Sequence, residues 1–162
     1  MKARRVVGVL GAALALGMVV GCGGGGSGSS NRVSIGGNAN YPASLGGGPV
    51  TNSDFIIIDP TRADVNGSDD PLSSAVTTDT GRFFGIIRKT VSVAVIIAGS
   101  VDGQPVRVSG LVPSQSNNDG KQLDGATDIA CEAGVQAVID GDIRGNDLGA
   151  QRIANLETAA VR

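Results

Sequence analysis

Four groups of side chains in this 162-residue sequence have types and spacing that could do chemistry. Asp64, Asn66, Asp69 and Asp70 lie around Gly67 and offer the hard oxygens that calcium prefers. A strict calcium loop would need a bidentate Glu at its twelfth position. Counting from Asp64, that position is Ala75, so a polar surface loop rich in turn formers is the simpler reading. Asp140, Asp142 and Asp147 form a second acidic cluster, more simply explained by helix capping. Cys131 lies in an apolar, alanine-rich stretch with Glu132 beside it, which suits a buried thiol better than an activated one. Cys22 is different. It closes an apolar run from Val6 to Val20 that starts just after Lys2, Arg4 and Arg5.

The run of about fifteen residues is short of the roughly 20 needed to span a bilayer. Basic start, apolar middle and small-residue end fit a cleaved signal. Val19-Val20-Gly21-Cys22 resembles the lipobox of bacterial lipoproteins. The resemblance implies cleavage before Cys22, a diacylglycerol on its sulfur and often a further acyl chain on its amine. Two or three chains hold a protein firmly where one does so only marginally. Gly23 stands where many lipoproteins retained at an inner membrane have Asp, so the outer membrane is expected if the source has two. Gly23 to Asn31 are nearly all Gly and Ser. As a flexible coil, nine such residues reach roughly 16 Å. No Lys-Ser/Thr follows and no strand precedes, so this is not a phosphate-binding loop.

Composition narrows the function classes. There is no histidine, which removes the commonest general base and metal ligand. Three of the 13 basic residues lie in the leader. The remaining ten face 15 acidic ones, a net charge of −5. Such a chain is a poor candidate for nucleic acid or an anionic membrane surface, both of which need clustered positive charge. Tyr41, Phe55, Phe83 and Phe84 are the only aromatics, too few for a stacking platform. No Gly-x-Ser-x-Gly elbow, zinc spacing or dinucleotide fingerprint occurs. No catalytic residue, cofactor or resident metal is therefore expected. The expected partners are the membrane through Cys22 and an envelope protein.

Periodicity predicts a mainly β body. Strands are expected at Arg32–Gly37, Phe55–Ile58, Leu72–Thr78, Arg82–Ile87, Val91–Ala98 and Val106–Leu111. Asp102-Gly103 between two alternating segments predicts a tight hairpin. Six or seven short strands argue for an antiparallel sandwich over 32–112. The span 113–121 reads as a polar linker. The span 122–162 reads as a helical hairpin packed on the sandwich, because neither helix would persist alone. Its first helix is expected over Ala126–Ile139 with Thr127 as N-cap, and its second from Asn146 or Asp147. Ile129, Ala133, Val138, Leu148, Ile153 and Leu156 are the expected buried face.

Ser74-Ala75-Val76-Thr77-Thr78-Asp79-Thr80-Gly81-Arg82-Phe83 resembles the signature of carboxypeptidase-regulatory-like domains, which are transthyretin-like β-sandwiches. The resemblance covers roughly Arg32 to Val112. In the turn, Asp79 is expected to bond the backbone, Gly81 to take positive φ and Phe83 to enter the core. It implies a structural, docking or adhesion module without catalytic residues. The alternative is a calcium-dependent or ligand-binding surface lipoprotein, and an envelope enzyme is the outlier.

Overall fold

Among the described residues the middle of the chain forms seven strands, most of them with the expected alternation of apolar and polar residues. The computed structural model describes residues 31–61 and 71–161. The strands are β1 (Arg32–Ala39), β2 (Asp54–Ile58), β3 (Ser73–Val76), β4 (Arg82–Arg88), β5 (Ser92–Val101), β6 (Gln104–Pro113) and β7 (Asn118–Leu123). Two helices follow, α1 (Gly125–Ile139) and α2 (Ala150–Ala160). The strands form a three-stranded sheet, β4-β1-β7, and a four-stranded sheet, β3-β2-β5-β6. The protein is a mainly β sandwich followed by a helical pair.

The main core lies between the sheets. Val33 and Ile35 of β1, with Phe83 and Ile87 of β4, face Phe55, Ile57, Val93, Val95 and Ile97. Phe55 and Phe83 meet edge to face with ring centroids 6.1 Å apart, joining the two layers directly. A second core lies on the other face of the four-stranded sheet. There Ala94 and Leu111 pack with Cys131, Leu148 and Ile153. β5 and β6 are therefore buried on both faces where the helices cover them. Odd-numbered residues of β5 serve the sandwich core, and Ala94 serves the helices.

The β5–β6 pairing runs unbroken from Ser92↔Pro113 to Val101↔Gln104. Asp102 and Gly103 close it with φ of 51° and 77°. Both central residues at positive φ match the twist of the flanking strands, as a type I′ hairpin requires.

The span between the hairpin and the first helix departs from the sequence reading. Residues 113–121 are not a linker: β6 reaches Pro113, and Asn118–Leu123 forms β7. β7 runs parallel to β1, with Gly37 opposite Lys121 and Ala39 opposite Leu123. Only Leu123 of this strand is fully buried. Backbone pairing, not an apolar stripe, holds it, and periodicity has nothing to detect. The approach is close: a Cβ on Gly37 would lie 1.9 Å from the Lys121 carbonyl oxygen.

β7 leads straight into α1. Asp124, not Thr127, is the N-cap. Its carboxylate accepts from the Ala126 and Thr127 amides at 2.9 and 3.0 Å. The Thr127 hydroxyl accepts from the Asp124 amide at 2.8 Å, completing a capping box. Gly141, at φ 77°, sits just past the Asp140 C-cap, where a left-handed residue ends a helix cheaply. α2 begins at Ala150, after a 3-10 turn over Gly145–Asp147 that postpones the expected start. The buried face of α1 is Thr127, Ala130, Cys131 and Gly134. Ile129 and Ala133 are exposed, one helical step off the expected face.

The pairing of β7 on β1 predicts a sharp contrast between two glycines. Gly37→Ala should destabilise by about 1–3 kcal/mol or more, because backbone must move to admit the methyl. Gly120→Ala, with nothing within 4 Å of its new methyl, should change stability by about 0.5 kcal/mol at most. Chemical denaturation midpoints of the two variants check this; equal midpoints would contradict the close approach.

Candidate functional site

Among the described residues, two surfaces stand out as able to carry function. The first is a cleft of about 520 Å³ between α1 and the outer face of β2, β5 and β6. Ile58, Ala94 and Ile96 form its floor, and Cys131, Ala133 and Val135 its helical wall. Its polar residues come from neighbouring positions on β6 and α1. Arg107 pairs with Glu132 and lies 3.8 Å from Asp128. The Ser109 hydroxyl donates to Asp128. Gln136 donates to Asp140 at 2.8 Å. The Arg107 and Ser109 contacts cross the cleft's edge and tie the helix to the sheet, whereas the Gln136 bond stays within α1.

Cys131 is almost fully buried in the cleft wall. Burial first of all, with the nearby Asp128 and Glu132 carboxylates adding to it, pushes its thiol up to about 11. The neighbouring Ser109 hydroxyl and Arg107 oppose this without overcoming it. The thiol therefore stays protonated at neutral pH and packs as a small hydrophobe. Ser109 points its proton at a carboxylate, and its side chain too is buried. The arrangement can hold an apolar group, and its serine and cysteine are structural neighbours, not an activated pair.

The second surface is the outer face of the three-stranded sheet. Along β4, Phe83, Gly85 and Ile87 point inward while Arg82, Phe84, Ile86 and Arg88 are exposed. Phe84 and Ile86 remain 55% and 56% exposed. Across β1 their partners are Gly36 and Ser34, and Arg88 lies opposite Arg32. An apolar pair is thus bracketed by arginines at both ends. The Phe84 ring lies against Gly36, where an added Cβ would sit 3.2 Å from its Cδ2 atom. A shallow depression of about 330 Å³ adjoins it, lined by Val76, Thr78, Arg82 and both phenylalanines.

This face escaped the sequence reading, which weighed net charge and not its distribution. The signal was present: Arg82, Phe84, Ile86 and Arg88 fall at every second position.

The residues singled out by sequence fare unevenly. Cys22 and the candidate calcium ligands Asp64, Asn66, Asp69 and Asp70 lie outside the described residues. Asp140 is the C-cap of α1 and Asp147 lies in the following 3-10 turn. Together with Asp142 all three are exposed, and no metal-binding cluster occurs among the described residues. In the Thr78–Gly81 turn, Gly81 takes φ 74° and Phe83 is buried. The turn is held by Thr78, whose hydroxyl accepts from the Arg82 amide at 3.0 Å, while Asp79 is exposed.

No protein-family model matches the chain, and no curated protein does. Among solved structures it is similar to a 9R-lipoxygenase from Cyanothece PCC8801, with 18% identity and a TM-score of 0.37. That match covers 58% of this chain and 16% of the lipoxygenase. It is also similar to the shaft pilin SpaA from Lactobacillus rhamnosus GG, with 10% identity and a TM-score of 0.35. There 57% of this chain and 48% of the pilin are covered. The chain thus spans less than half the length of either protein.

The raised thiol gives a signed pH prediction. A pKa raised on folding means the folded state holds the proton more tightly. Stability should be flat below about pH 9 and fall as pH rises towards 11, by about 2–3 kcal/mol in total. Cys131→Ser should remove that alkaline loss, whatever its effect at neutral pH. In the native protein at pH 8, peptide mapping after iodoacetamide treatment should find Cys131 unmodified, and denaturant should expose it. Rapid native alkylation would contradict the burial.

Proposed function

We propose that this protein is a lipid-anchored component of a bacterial cell envelope, with a sandwich that docks or supports other components and performs no catalysis. The observation that carries the reading is the order of features along the chain. A basic start, an apolar run and the lipobox-like Val19-Val20-Gly21-Cys22 are followed at once by a Gly/Ser tether. That tether ends where β1 begins, at Arg32. Cys22 carries the acyl chains, and the tether keeps the sandwich within roughly 16 Å of the headgroups. Gly23 after the cysteine favours the outer membrane in a bacterium with two membranes.

The resemblance of the Ser74–Phe83 stretch to carboxypeptidase-regulatory-like domains supports a structural or docking role. The arginine-flanked apolar face of β4 supplies a surface on which docking could occur.

Cys22→Ala and fractionation of cells test the anchor. The wild type should pellet with membranes and carry a mass increment of acyl chains on its N-terminal peptide. The variant should lose both. A variant that pellets as fully as the wild type would sink the proposal.

A further inference from the structure

We infer that the outer face of β4 and β1 is a docking surface for an anionic lipid bilayer. The inference deepens the proposed function and rests on it for the nearby membrane. Three observations carry it.

The first is composition. Arg82, Phe84, Ile86 and Arg88 form one continuous exposed row, and Arg32 lies beside Arg88. Apolar side chains between cations are what an interfacial protein presents to a charged membrane. The apolar side chains enter the headgroup region and the cations meet its phosphates. The second is contrast. The chain is acidic overall, yet this row contains no carboxylate. Among the described residues, Asp79 lies in the turn before Arg82, and Asp119 on β7 borders the β1 side of the face, its carboxylate accepting from the Ser34 hydroxyl at 3.1 Å.

The third is position. The Asn31 carbonyl accepts from the Lys89 amide at 3.0 Å. The end of the tether is therefore fixed beside Arg88, Lys89 and Arg32. A chain anchored at Cys22 would be joined to the membrane at one end of this face, within the tether's short reach. Anchor and face then act together, the anchor raising the effective concentration of lipid at the weaker face.

The protein contains no tryptophan, so Phe84→Trp places one reporter at the centre of the face. The lipidated full-length variant is attached to vesicles of phosphatidylcholine, alone or mixed with phosphatidylglycerol. On the mixed vesicles its emission should shift to the blue and be quenched by brominated lipid; on phosphatidylcholine it should not. Added salt should reverse the effect. Replacing Arg82 or Arg88 by Gln should weaken the face's partitioning about fivefold each, with the melting temperature unchanged. An emission that stays water-like on both vesicles, with the chain still attached, overturns the inference and leaves the anchor standing. So does equal quenching on both compositions. Protection of the reporter by soluble polyglutamate but not by lipid assigns the face to an acidic protein and overturns it too. A chain that leaves phosphatidylcholine vesicles but is quenched on the anionic ones contradicts the anchor and supports the face.

Discussion

Everything in this fold leans on the β5–β6 hairpin. Its two strands are paired over ten residues each, and their two faces belong to different cores. Val93, Val95 and Ile97 fill the space between the sheets, while Ala94 and Leu111 receive the helices. A one-residue slip would turn both sets to the wrong side at once. The register is therefore held by two packing requirements and by a turn with little freedom. The turn is the local part of this constraint; the alternation that sends Val93, Val95 and Ile97 to one core and Ala94 and Leu111 to the other is the extended part.

The helices depend on the hairpin in turn. Ala94 and Ser109 on the outer face let α1 settle close to β6. Gly134 completes the fit, since a Cβ there would lie 2.6 Å from a Leu111 methyl and 3.2 Å from one of Leu156. The Thr127 hydroxyl also donates to the Ser109 carbonyl at 3.0 Å, so the helix start is fastened to the same strand. Where Ile96 and Ile58 continue the sheet beyond α1, the cover ends and the cleft opens. The cleft is thus the edge of a packing arrangement, and its ion pairs help hold that edge.

What was legible in the sequence is what local chemistry determines. Asp102-Gly103 announces its turn because both positions need positive φ. Val93, Val95 and Ile97 announce a strand by simple alternation. β7 stays hidden because Asn118 to Gln122 contains no apolar residue, and its strand conformation comes from a partner some eighty residues earlier in the chain. Asp124 was overlooked as a cap because Thr127 is a good capping type too; only the geometry assigns the pair their reciprocal roles. The basic face was concealed by averaging. Net charge sums over the whole chain, whereas a strand sorts residues by parity and gathers cations that the sum had cancelled.

The parallel pairing of β1 with β7 has a consequence for how the molecule can come into being. β1 is the first strand made, yet both its neighbours, β4 and β7, are encoded much later. Its central place in the three-stranded sheet cannot be filled until almost the whole body exists. Long-range pairing of this kind is entropically slow to close. In a chain threaded outward from its N-terminus, the opening strand would have to wait with bare edges on both sides. Gly36 and Gly37 at its middle lower its own tendency to pair prematurely, because glycine contributes little to a lone strand.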